Sequence, residues 1–62
     1  MDHILTIHFY VEDGEIKSRS DFALKYFGEN EALAAKIAEE LHYDFLHRMK
    51  EEGFVSYVFP NN

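Results

Sequence analysis

Residues 39–42 read Glu-Glu-Leu-His, which sets Glu39 and His42 three positions apart. On a helix that Glu-x-x-His spacing puts a carboxylate and an imidazole on one face, as in helical bundles that hold two iron ions. Asp44-Phe45-Leu46-His47 repeats the pattern with aspartate. Such sites need several helices converging, and the pattern below predicts only one. Solvated charge beside a histidine flanking an apolar face is therefore the reading taken, and no metal or other cofactor is expected.

The remaining polar groups offer little more chemistry. His3, His8, His42 and His47 are side chains of the type that titrates near neutrality, but they fall on different faces of the predicted elements. Ser18 and Ser20 have no base except His8 across a predicted hairpin, on the wrong face. There is no glycine-rich phosphate loop, and the chain is too short to wrap a pocket of the usual ~300 Å³ or more. An enzyme is not expected, nor a small-molecule substrate. Tyr10, His8, Thr6, Lys17 and Arg19 share one predicted sheet face, and aromatic residues on an open sheet can stack RNA bases. The net charge of −6 argues against that use, because phosphate tracking needs clustered Lys and Arg.

These groups must be positioned by a few elements. The longest is a helix over 30–52. Asn30 is a good N-cap, Glu29 and Glu31 suit the positive end of the helix dipole, and Arg48 and Lys50 suit the negative end. Gly53 stands where a left-handed C′ glycine belongs, which makes Met49 and Phe54 the flanking pair of a Schellman ending. At about 100° per residue Ala34, Ala38, Leu41, Phe45 and Met49 form one stripe. Ile37 flanks one side, and Ala35, His42 and Leu46 flank the other. Truncating Leu41 or Phe45 is expected to unfold the protein. The apolar arc is roughly twice the ~100° of an ordinary surface helix, more than one small sheet covers.

Before the helix, 3–11 alternates with period two, then Asp13-Gly14 signals a two-residue type I′ hairpin turn. That turn sets the register. Val11, Phe9, Ile7 and Leu5 oppose Ile16, Ser18, Ser20 and Phe22 on an apolar face. Tyr10, His8, Thr6 and Ile4 oppose Lys17, Arg19, Asp21 and Ala23 on a polar one. The second strand is predicted over 15–27, since Phe22, Leu24 and Tyr26 keep alternating; the alternative is a short helix over 21–27 ended by Gly28. A third strand is predicted over 54–59, rich in aromatic and β-branched residues and ended by Pro60. The expected fold is α+β, in the order ββαβ: a three-stranded mixed sheet, spatial order 2-1-3, with the helix on one face.

Sixty-two residues make one small domain over 1–62. Chains this short bury only about 60% of their unfolded surface and usually add a disulfide, a metal or a partner. With no cysteine, a partner subunit is the device left. No run approaches membrane-spanning length and no signal peptide opens the chain, so a cytoplasmic protein without membrane contacts is expected. The composition suits a small acidic protein-protein interaction module, a homodimer that inhibits or regulates a larger protein, of the phage or mobile-element accessory type. A structural subunit of a larger assembly is the alternative, and a nucleic-acid binder the third. Candidate partner-binding residues are Tyr43, Leu46, Ile37, His47, Glu39, Glu40, Tyr10 and Tyr57.

Overall fold

A computed structural model describes residues 2–54. Strand β1 spans Leu5–Glu12 and β2 spans Glu15–Phe22; a 3-10 turn, Leu24–Phe27, leads into helix α1, Glu31–Glu51. The two strands pair antiparallel in the register the turn predicts, from Glu12 opposite Glu15 to Leu5 opposite Phe22. Asp13 (φ 55°) and Gly14 (φ 77°) both take positive φ, as a type I′ turn requires.

The expected three-stranded sheet is not found: among the described residues the sheet has two strands. Phe54 is not part of a strand; its N–H donates to Met49 O at 2.9 Å in the helix ending. The rest of that expected strand, 55–59, lies outside the described residues.

Strand β2 also stops earlier than its alternation suggests. Ala23 N–H donates to Ile4 O at 3.0 Å, at the edge of the ladder. Residues 2–4 form no strand opposite the segment beyond it, and there the backbone satisfies itself locally. Tyr26 N–H donates to Ala23 O, and the N–H groups of Gly28 and Glu29 donate to Leu24 O. A 3-10 turn places residues i and i+3 on one side. Leu24 and Phe27 are accordingly half-buried, while Lys25 and Tyr26 are exposed. Phe27 meets Phe22 edge-on, with ring centroids 6.2 Å apart. The short-helix alternative is thus closer than the strand.

The helix follows its sequence signals at both ends. Asn30 accepts from Leu33 N–H at 3.0 Å. Gly53 takes φ 93°, its N–H donates to Lys50 O, and with the Phe54–Met49 bond this forms the Schellman pair.

The helix is rolled relative to the expected stripe. Ala34 and Ala38 are buried and Phe45 and Met49 half-buried, but Leu41 remains 42% exposed. His42, one residue on, takes the inward place. The roll follows from aromatic packing: Phe9 of β1 stacks on Phe45 at 4.1 Å and meets the His42 ring at 5.8 Å. Of the strand residues only Ile16 is buried. The opposite sheet face, with Ile4, His8, Tyr10, Arg19 and Asp21, is exposed.

Candidate interaction site

Two surfaces flank the point where α1 crosses the hairpin. The first is a cleft of about 290 Å³ between β2 and α1, lined by Ser18, Ser20, Ala35, Ala38, Glu39, His42 and Tyr43. Ser18 and Ser20 reach it because, in the observed register, they share the helix-facing side of the sheet with Phe9 and Ile7. Alanines at 35 and 38 let the helix approach closely. At the floor, Ser18 Oγ and His42 Nδ1 share a hydrogen bond of 2.6 Å, half-buried on both sides.

That bond corrects the sequence reading, in which Ser18 had no base but His8. The missed signal was available: a serine on a helix-facing strand position and a histidine at the margin of the helix stripe each need a polar partner once covered. A serine and an imidazole in contact are two parts of a nucleophilic site. The third part, a group orienting the imidazole, is missing: no carboxylate among the described residues hydrogen-bonds His42. The pair locks helix to strand.

The second surface is the outer face of α1. Tyr43 stands 60% exposed, with Glu39, Glu40 and His47 also exposed on its own side of the helix. His47 Nε2 lies 2.7 Å from Glu51 Oε1, one turn on, which draws it away from any shared site with Asp44. Leu46 and Ile37 sit half-buried at opposite margins, so they belong to the helix–sheet packing as much as to a free surface. Tyr10 is exposed on the other side of the molecule, on the open sheet face, and does not join the helix residues. Tyr57 lies outside the described residues.

Neither surface has metal-binding geometry. Among the described residues no three His, Asp or Glu side chains converge, so neither Glu39 with His42 nor Asp44 with His47 has a further ligand. Of the basic groups on the open sheet face, Lys17 is engaged by Glu12 at 2.9 Å. No described helix is long and apolar enough to cross a membrane. Comparison with protein-family models, curated proteins and solved structures returns no match to the chain.

Proposed function

We propose that this protein is a small acidic interaction module that works by occupying the surface of another protein, as an inhibitor or regulator in the cytoplasm. The supporting observation is incomplete burial. The buried apolar residues among those described are Ile16, Ala34 and Ala38, and none of the large side chains is fully enclosed. Ile4, Tyr10, Val11, Leu33, Leu41 and Tyr43 stand at least 42% exposed. Among the described residues that core is small against the cost of ordering a chain of this size, and contact with a partner surface adds burial. Exposed aromatics ringed by polar groups are what protein hot spots use. On α1, Tyr43 beside Glu39 and Glu40 fits a partner with an apolar pocket and a basic rim.

The test is capture from a lysate of the source cells with wild-type protein and with Tyr43→Ser. A stoichiometric protein retained by the wild type and lost with the variant supports the reading. Retention of the same protein by both would place the contact elsewhere. A chain that binds no protein, and instead binds oligonucleotide in a salt-sensitive way lost in Lys17→Ala, would replace it with the nucleic-acid reading.

A further inference from the structure

Among the described residues, the backbone of β1 is hydrogen-bonded on one side only. The parity is fixed by the hairpin. Glu12 and Glu15 flank a two-residue loop, and Ala23 N–H donates to Ile4 O at 3.0 Å. Ile4, Thr6, His8, Tyr10 and Glu12 therefore aim their N–H and C=O groups at β2, and Leu5, Ile7, Phe9 and Val11 aim theirs away from it. No described residue pairs with that outer row.

Exposed strand edges are ordinarily blunted by charge, by proline or by a covering element. Along its length β2 carries Glu15, Lys17, Arg19 and Asp21, and α1 lies closer to β2 than to β1. From Leu5 to Val11, β1 has no Asp, Glu, Lys or Arg and no proline. The helix repeats the asymmetry. Its Ala35/Glu39/Tyr43 side borders the cleft with β2. Its opposite side, away from that cleft, bears Leu33, Ile37 and Leu41, with Leu33 and Leu41 more than 40% exposed. Among the described residues, the unpaired backbone of β1 and the exposed leucines both lie away from the β2 cleft.

Resting on the interaction-module reading above, we infer that this flank is a dimerisation edge whose occupant is a second copy of the chain, paired β1 to β1 antiparallel about a two-fold at His8. The edge is complementary to itself. Centring on His8 sets Leu5 opposite Val11 of the second copy and Ile7 opposite its Phe9. All four outward-facing residues are then hydrogen-bonded. Centring one residue either way leaves one of them without a strand partner. The same register sets Glu12 opposite Ile4, so no two acids meet in a chain of net charge −6. The product is a four-stranded antiparallel sheet, β2-β1-β1-β2, with both helices on one face and the Leu33/Ile37/Leu41 sides turned towards each other. An isologous interface of this kind closes at two copies.

The chain contains no cysteine, which makes cross-linking a clean readout. In this register the two His8 residues form a non-hydrogen-bonded pair, with Cα atoms about 4.5 Å apart, inside the disulfide range. Arg19, on the same open face but on β2, would lie three strand spacings, roughly 14 Å, from its copy. The experiment is sedimentation of the full chain across a dilution series, then mild oxidation of His8→Cys and Arg19→Cys. A dimer in which His8→Cys becomes covalent while Arg19→Cys stays a thiol is expected. A monomer throughout overturns the inference and leaves the module reading standing. A dimer in which His8→Cys cross-links no faster than Arg19→Cys overturns the edge. Failure of partner capture alongside a cross-linked dimer counts against the module reading and not against the edge.

Discussion

The Ser18–His42 bond carries the most specific consequence for a single residue. Ser18→Ala leaves a half-buried imidazole nitrogen without its partner, so a stability loss of about 1–3 kcal/mol is expected. Replacing both partners by apolar groups, as in Ser18→Ala with His42→Leu, restores part of it, since the loss comes from the orphaned group. Denaturant midpoints of wild type, both single variants and the double variant check this; an additive double variant would show that the contact is incidental. Phe45→Ala removes the ring stacked on Phe9, and a loss of about 3 kcal/mol is expected, near the low end for aromatic truncation because the ring is only half-buried. Leu41→Ala, which the sequence alone equates with it, is expected to cost well under half as much in the dissociated chain. Equal losses for the two would contradict the observed roll of the helix.

At the scale of elements, the hairpin depends on its turn. Gly14 holds φ 77°, and a β-branched residue there is strained by roughly 1–2 kcal/mol, so Gly14→Val lowers the thermal midpoint. An unchanged midpoint would mean that the turn does not set the pairing. The helix end gives a parallel case. A Cβ at Gly53 meets nothing within 4 Å, so Gly53→Ala costs only the backbone strain of positive φ, about 1–2 kcal/mol. Beside the turn, Lys17 is held protonated above its ordinary 10.5 by the hydrogen bond to Glu12, then by that carboxylate's charge. A folded-state value raised above the unfolded one contributes stability below pH 10.5 and loses it as pH rises through the raised value. The difference in midpoint between wild type and Lys17→Gln is therefore the same at about pH 7 and 9. A difference that shrinks between those values would show that another group sets it.

For the whole molecule, association and folding are coupled. If the β1 edge and the Leu33/Ile37/Leu41 flank complete their burial in a second copy, the thermal midpoint rises with chain concentration, by the mass action that links assembly to stability. Scans over about a hundredfold range of concentration check this, and a midpoint independent of concentration would mean that the single chain folds without a second copy.

What local chemistry controls was legible in the amino-acid order. Asp13-Gly14 dictated the turn, the turn dictated the register down to Leu5 and Phe22, and Asn30 and Gly53 bounded the helix, because each signal acts within a few residues of the structure it sets. That order misleads where a segment's state depends on what lies beside it. The Phe22/Leu24/Tyr26 alternation is real, yet a strand needs a neighbour, and residues 2–4 form no strand beside it; the chain turns at Leu24–Phe27 instead. Aromatic and β-branched composition likewise suggested a strand from Phe54, whose N–H the helix ending takes. The candidate surface divided the same way. The exposure of Tyr43, Glu39 and Glu40 follows from helical spacing, whereas the Ser18–His42 contact and the bare flank of Leu41 were decided by tertiary structure. Periodicity fixes which residues share a face; only the packing of Phe9 on Phe45 and the helix's lean over β2 fix how far that face is rolled and which strand edge is left open.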